Sequence, residues 1–475
     1  MPSEFDLLLK GPLVVDPVNS INSIQDIAIS SGKIAEVNPN ISPSLARQVK
    51  HLDGYTVVPG IIDSHVHASP LVGGSSAHKM LARAGVTTAF DVAGPVEAVW
   101  KMMAEDGAGL NLLCIHAVAP GITIEGNNPS KATIKKLLNN AVVAGAIGIK
   151  ILGGHLPLTP SATRRCIELA HQQNKYCAFH AGTTESGSNF KGFLEALELA
   201  GDIRLHLAHI NSYCRGQITT SLNESLEAIS ALESRPNIFS ESYLSPINGT
   251  SGRFVDGEPF SKATPISLKL FGYSPDYEGM KKAINDGRVS IMVEEGDETV
   301  LQAGPMAVKK WEDANTDMSV SFDINPADAR FLLATAKNQD GHFTVDAIAT
   351  DGGGIPRNVI VENGLALVDF KALTMAEFVL KTSTNPAAML GLINKGKLTP
   401  GADADITVLD VDRNKAYMTM VGGNIVMVDG HVCGSKGTAM VLPEGEKSVR
   451  KLGLGVDIIT ADLLFQRLGS DLKTP

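Results

Sequence analysis

In the segment Pro59-Gly60-Ile61-Ile62-Asp63-Ser64-His65-Val66-His67, the pair Pro59-Gly60 punctuates the end of one element. Ile61-Ile62 then opens a short apolar run that reads as a buried strand. Alternate residues of a strand point to the same face, so His65 and His67 can address one metal ion from one side. The ordinary alternative is two incidental histidines at a strand end. Their meaning depends on what the remaining strands present beside them.

Working outward from this strand, the centre of the chain alternates short apolar runs with longer segments. The runs are Thr87 to Phe90, Asn111 to Ile115, Ala146 to Ile151, Tyr176 to His180 and Arg204 to His209. The segments between them include helix-like patterns such as Lys131 to Ala144 and Thr159 to Asn174. Strand and helix in alternation predict parallel βα units. Carried over residues 61–390, the pattern predicts an α/β catalytic domain of the (β/α)8 TIM-barrel type, whose chemistry sits at the C-terminal strand ends. A stretch around 240–345 is loop-rich and reads as an insertion able to lid the site, with strands seven and eight expected within it.

The flanks have a different texture. Phe5 to Leu9, Asp26 to Ile29, Lys33 to Val37 and Thr56 to Val58 are short strands parted by turn signals, and the same spacing returns between Asp405 and Cys433. Neither flank is large enough for a core of its own. Residues 1–60 and 391–442 are therefore expected to form one small β-sandwich domain from both chain ends. The remaining 443–475 is expected to be a tail with a surface helix.

Composition narrows the function. The 475 residues are 44% hydrophobic and 19% charged, which suits a folded globular protein and is too apolar for disorder. A net charge of −10 offers no electrostatic footprint for nucleic acid, and a small-molecule substrate fits it better. The five cysteines are scattered and form no CxxC, so neither a disulfide framework nor a thiolate zinc site is indicated. No signal sequence is evident at the N-terminus, and no apolar run reaches the ~18 residues of a membrane span. A cytoplasmic location and no membrane partner are expected, with a homo-oligomer as the default assembly.

Other polar groups fall at the ends of the remaining apolar runs. Lys150 lies inside Ile147-Gly148-Ile149-Lys150-Ile151, where an unpaired ammonium is costly and must pair, snorkel or be modified. His180, His209 and Asp351 each close a run and open a loop. Singly, each has an ordinary explanation as a core histidine, a snorkelling lysine or a turn aspartate. Together with His65 and His67 they are six chemistry-bearing residues at consecutive predicted strand ends.

Asp63-Ser64-His65-Val66-His67, Lys150, His180, His209 and Asp351 resemble the metal-site pattern of the amidohydrolase superfamily. The resemblance extends to Gly396-Lys397-Leu398-Thr399-Pro400-Gly401-Ala402-Asp403-Ala404-Asp405, which looks like that superfamily's return into its β-sandwich. It implies a binuclear metal centre in which His65, His67 and Asp351 serve one divalent ion and His180 and His209 the other. A carbamylated (carboxylated) Lys150 and a hydroxide would bridge them, and zinc suits the ligand set. Carbamylation would turn a costly buried cation into an anionic ligand. The implied reaction is hydrolysis of a C–N amide bond by the bridging hydroxide, with Asp351 as the catalytic proton carrier.

The 29-residue interval from His180 to His209, His209-Ile210-Asn211-Ser212 and Thr350-Asp351-Gly352-Gly353-Gly354 resemble the N-acyl-D-amino-acid deacylases and isoaspartyl dipeptidases. The likeness to dihydropyrimidinases and hydantoinases is more distant. An N-acyl amino acid or dipeptide-like linear amide is the favoured substrate. A cyclic amidase acting on a hydantoin, dihydropyrimidine or lactam is the first rival, and a non-catalytic scaffold of the same fold the second. Arg215 and Arg357 each follow a ligand by six residues and are candidates to fork a substrate carboxylate. His155 and Tyr213, in loops after ligand strands, are candidates to hydrogen-bond substrate. His206 is left off the metal set, since three residues separate it from His209.

Overall fold

The computed structural model describes residues 4–69 and 74–467. Its centre is a succession of parallel strands: β1 (Ile61–His67), β2 (Val86–Asp91), β3 (Ala108–Cys114, resuming as His116–Val118), β4 (Gly148–Leu152), β5 (Tyr176–His180), β6 (Leu205–Leu207), β7 (Ile238–Tyr243) and β8 (Ala347–Ala349). Each pairs in parallel with the next. Just beyond β8, Gly352–Gly353 pairs in parallel with Val66 and His67 of β1, so the succession returns to the strand on which it began.

The helices between these strands follow from local sequence. In Lys131–Ala144 the Ser130 side chain accepts from the Thr133 amide, and Gly145 ends the helix at φ 112°, a left-handed conformation that glycine adopts without penalty. Ile134, Leu138, Ala141 and Val142 recur at helical spacing and are buried. Full burial of a leucine such as Leu138 is worth about 1.5–3 kcal/mol. Pro160–Gln172 begins with Thr159 capping the Ala162 amide and proline in the first turn, where its missing N–H costs nothing.

Both flanks of the chain contribute to one seven-stranded sheet. Thr56–Pro59 pairs antiparallel with Ile406–Asp410, placing Val57 opposite Val408. A four-stranded sheet of N-terminal strands shares an apolar cluster with it, in which Leu9, Ile27 and Ile34 meet Val57, Ile406, Val408 and Met418. Asn111 of β3 joins this region to the centre by donating to Asp405 at 2.8 Å, and Lys395 pairs with Asp405 at 2.6 Å and Asp403 at 2.9 Å.

Three expectations are corrected. Residues 240–345 are largely a folded unit, with an antiparallel four-stranded sheet (Ile247–Ser251, Val289–Glu295, Glu298–Gln302, Ser319–Asp323) and a cluster of Met280, Ile284, Ile291, Trp311, Val320 and Phe322. Its polar residues suggested loops because many are strand residues bonded to buried partners. Strands β7 and β8 flank this unit, whereas both were expected inside it. After residue 442 a five-residue helix, Glu446–Arg450, is followed by the strand Gly455–Ile458. That strand pairs with Lys436–Val441, which in turn extends β3, so the C-terminal region adds to the parallel sheet. Residues 468–475 lie outside the described part of this tail. Among the described residues no helix is long and apolar enough to cross a membrane.

Candidate metal centre

The residues singled out at strand ends converge. His65 and His67 project from β1 to the same side, and Asp351 follows β8. Asp351 Oδ1 lies 2.9 Å from His67 Nε2 and 3.4 Å from His65 Nε2. One donor atom from each of the three lies within 4.8 Å of the others, a spacing that can hold one cation. Lys150 on β4, His180 ending β5 and His209 beyond β6 line the same cavity, which has a volume of about 550 Å3. The His180 and His209 rings are 4.4 Å apart, and His209 is 5.1 Å from His65.

Backbone conformation aims these groups. Asp351 and His209 have φ of 51° and 33°, turning their side chains out of the strand direction. The Asp351 amide donates to the His65 carbonyl at 2.8 Å, fixing β8 to β1 at the site. Below it, the buried Asp63 carboxylate accepts from the Thr350 amide and hydroxyl at 3.1 and 2.5 Å. Burial dominates there and pushes its carboxyl up to about 7. Gly154 leaves room beside His180, since a Cβ at that position would collide with His180 Nε2.

The electrostatics suit cation binding. Burial, reinforced by Lys150, lowers His65 to about 4, so its imidazole is neutral. Burial likewise holds His180 and His209 well below the usual imidazole range. At Asp351 burial opposes ionisation, but Arg357 and His65 outweigh it and keep the carboxyl well below its ordinary value. Lys150 is lowered to about 8 by burial, against the opposing charges of Glu241 and Asp351. Its Nζ, with His67 Nδ1 and His209 Nδ1, is buried without a hydrogen-bond partner among the described residues. Orphaned donors of this kind are costly unless something further satisfies them. Imidazole and carboxylate donors of this kind suit a divalent cation.

Of the four substrate-binding candidates, His155 and Arg357 line the cavity and Tyr213 and Arg215 do not. Tyr213 is buried behind the histidines, and its hydroxyl accepts from the Ala181 amide at 2.8 Å. Arg215 donates to Asn325, Ser212 and the Tyr243 hydroxyl. His155 Nδ1 meets the Ser261 hydroxyl at 3.3 Å, and its ring stands 5.4 Å from that of His180.

One residue behind the ligands, Glu241, escaped the sequence reading, and it is bonded to His206, which was set aside there. Glu241, fully buried on β7, takes His65 Nδ1 at 2.5 Å and the His209 amide at 2.9 Å on Oε1. Its Oε2 accepts from His206 Nε2, and His206 Nδ1 faces the Tyr176 hydroxyl at 3.0 Å. Holding Nδ1–H of His65 leaves the Nε2 lone pair free for a cation, the usual service of a carboxylate behind a ligating histidine. The available signal was a glutamate within the run Ile238-Phe239-Ser240-Glu241-Ser242-Tyr243.

The sequence pattern of the amidohydrolase family matches residues 56–432, most of the chain and all six convergent residues. The chain belongs to that family. It is accordingly a hydrolase acting on carbon–nitrogen bonds other than peptide bonds. Among sequence relatives of this amidohydrolase, a dihydroorotase of Elusimicrobium minutum is 26% identical over 443 residues, covering 86% of this chain and 89% of that protein. One from Geobacter metallireducens is 23% identical over 472 residues, covering 89% and 99%. Among solved structures, the N-acyl-D-glutamate deacylase of Bordetella bronchiseptica, complexed with zinc and a phosphonate inhibitor, superposes with a TM-score of 0.67 at 15% identity. It covers 92% of this chain and 99% of its own. The dihydropyrimidinase of Brevibacillus agri gives 0.58 at 15% identity, covering 91% and 97%. Likenesses at this level of identity concern the fold.

Proposed function

We propose that this amidohydrolase is a metal-dependent enzyme that hydrolyses an N-acyl amino acid or a dipeptide-like linear amide. The observation that carries the reading is the convergence of His65, His67 and Asp351 with Lys150, His180 and His209 around one cavity. In this reading the parallel succession is a (β/α)8 barrel with the insertion over its C-terminal end. The two flanks form its β-sandwich, and two divalent ions, zinc by ligand chemistry, occupy the site.

His65, His67 and Asp351 would hold one ion, His180 and His209 the other, and Lys150 both after carbamylation. Bound there, the ions would supply a polarised substrate carbonyl and water acidic enough to attack it at neutral pH. The chain's own residues supply the rest. Burial brings Lys150 down to about 8 and so raises the share of neutral amine, the form that combines with carbon dioxide. Glu241 orients His65. Asp351, kept ionised, accepts the proton of the attacking water and returns it to the leaving nitrogen. The apolar side chains of Ile122, Leu156, Phe260, Met292 and Ile355 on the cavity wall would receive an apolar acyl or side chain.

That wall favours a linear amide, because a small polar ring would leave it uncovered. The dihydroorotase relatives favour the second reading, a cyclic amidase with the same machinery. The deciding experiment follows primary-amine release by zinc-reconstituted protein across N-acyl D- and L-amino acids, isoaspartyl dipeptides, hydantoins and dihydroorotate. Amine release from a linear substrate is the expected result. Ring opening without amine release would transfer the assignment to the cyclic amidases. A protein that holds no divalent metal and hydrolyses none of the panel would overturn both.

A further inference from the structure

Arg357 is only 2% exposed and grips a single neighbour twice. Its Nε donates to the Asp351 backbone carbonyl at 2.5 Å, and its Nη2 lies 2.6 Å from Asp351 Oδ2. Its Nη1 donates to the Ile247 carbonyl at 3.1 Å, and its guanidinium carbon lies 4.8 Å from the centre of the Tyr243 ring. Each of the three nitrogens is thus engaged with the protein and one face of the plane is covered. The side-on fork of Nε and Nη2, the pair that could take a substrate carboxylate in two parallel hydrogen bonds, is already filled by Asp351.

Asp351 needs such a grip. It is a non-glycine residue at φ 51°, in the left-handed region that costs an L-residue roughly 1–2 kcal/mol. Its amide is tied to the His65 carbonyl, its carbonyl to Arg357 Nε, and its Oδ2 to Arg357 Nη2. Only Oδ1 is left facing His65 and His67. The carboxylate is therefore divided: one oxygen belongs to the histidine pair and the other to the guanidinium.

We infer that Arg357 is a positioning residue, which fixes the rotamer and backbone of Asp351 for proton transfer and ties both to the first strand of the inserted unit. This role rests on the proposed amide hydrolysis for its catalytic meaning, while the geometry it asserts does not. A planar fork with fixed spacing is required, so lysine cannot replace it. The link to Ile247 also means that displacement of the insertion would move the proton acceptor.

The test compares Arg357→Met and Arg357→Lys with wild type in steady-state hydrolysis, in visible absorption of the cobalt-substituted proteins, and by crystallography. Misplacement of a reacting group by an ångström costs about 10²-fold, so kcat of Arg357→Met is expected to fall about 10²-fold while KM moves less than about threefold. Bound cobalt should stay near the wild-type amount with an altered spectrum, and Asp351 should leave its wild-type rotamer. Arg357→Lys should recover less than about a tenth of the lost rate, and methylguanidinium should restore part of the activity of Arg357→Ala. A tenfold rise in KM at unchanged kcat, confined to carboxylated substrates, would make Arg357 a substrate clamp and overturn the inference. Wild-type kinetics in Arg357→Met, or an unmoved Asp351 in its crystal structure, would overturn it as well. If the enzyme hydrolyses none of the amides, the functional reading fails, and the cobalt spectrum and crystal structure still decide the positioning role. Should Arg357→Met not fold, Arg357→Lys carries the same three measurements.

Discussion

Glu241 can be altered in two ways that separate its part in folding from its part in metal binding. In Glu241→Gln the side-chain oxygen can keep the two donors now on Oε1, His65 Nδ1 and the His209 amide. The new amide would face His206 Nε2, which must become an acceptor. His206 can comply, because its Nδ1 can then donate to the Tyr176 hydroxyl that it now faces at 3.0 Å. The Tyr176 hydroxyl hydrogen and the second N–H of the new amide are left without acceptors, so folding stability should fall by on the order of 1–3 kcal/mol, less than in Glu241→Ala. What is lost is the negative charge behind His65. Loss of such a partner typically weakens metal affinity 10–100-fold, or about 1.4–2.7 kcal/mol. Glu241→Ala instead strands three buried donors at ~1–3 kcal/mol each and should cost on the order of 3–5 kcal/mol after local relaxation. Thermal unfolding of metal-free protein measures the first quantity, and competition for zinc with a chromophoric chelator the second. A Glu241→Gln protein that binds zinc as tightly as wild type would refute the argument that Glu241 tunes His65. So would a metal-free Glu241→Gln protein as unstable as Glu241→Ala.

Lys150→Ala should lose metal together with activity, measured as bound zinc per chain; full occupancy without the lysine would remove the bridging role. Gly154→Ala pushes a methyl group into His180, so zinc content should drop while the circular dichroism spectrum stays native. Lys395→Met leaves Asp405 buried without its cation and should cost about 3–5 kcal/mol at neutral pH in denaturant unfolding. The pH dependence of this clasp has a definite sign. The pKa of Lys395 is raised on folding despite burial, by Asp405 and Asp403, so its stabilisation is complete below about 10.4 and fades as pH rises through the folded value. At Asp403 burial is outweighed by Lys395 and Lys33, and the lowered pKa gives stabilisation above about 3.9 that fades as pH falls further. The stability gap between wild type and Lys395→Met should therefore be widest between about pH 4 and 10; a flat gap across that range and beyond would contradict the linkage.

The ligand candidates were legible because each sits where an apolar run stops. His65, His67, Lys150, His180, His209 and Asp351 interrupt or end strands at positions where only chemistry or unusual pairing repays the burial of a polar group. Glu241 was not legible for the complementary reason. It lies among serines, so β7 lacked apolar contrast and looked like the start of a loop. The satisfaction of those polar residues comes from partners far along the chain, such as Asp346 accepting from the Ser240 amide at 2.9 Å. The roles of Arg215 and Tyr213 could not follow from their distance to His209 along the chain. Side-chain direction after a left-handed residue depends on local backbone geometry that spacing does not encode. The inserted unit failed for want of periodicity: its strands are half-exposed and its buried apolar cluster is gathered from two strands and three helices.

The antiparallel pairing of Thr56–Pro59 with Ile406–Asp410 has a consequence for the order in which the protein can be made. About 350 residues separate Val57 from its partner Val408, so at 5–20 residues per second roughly 20–70 s of translation pass between them. For that interval the newly made Thr56–Pro59 strand waits beside the ribosome with one edge open, the condition in which unpaired strands recruit wrong partners. The N-terminal sheet can shield part of the apolar face meanwhile, but closing the seam needs the last seventh or so of the polypeptide. A stalled ribosome or a chain broken before residue 406 would therefore leave this edge exposed however well the central strands have folded, making truncated products clients for chaperones and proteases.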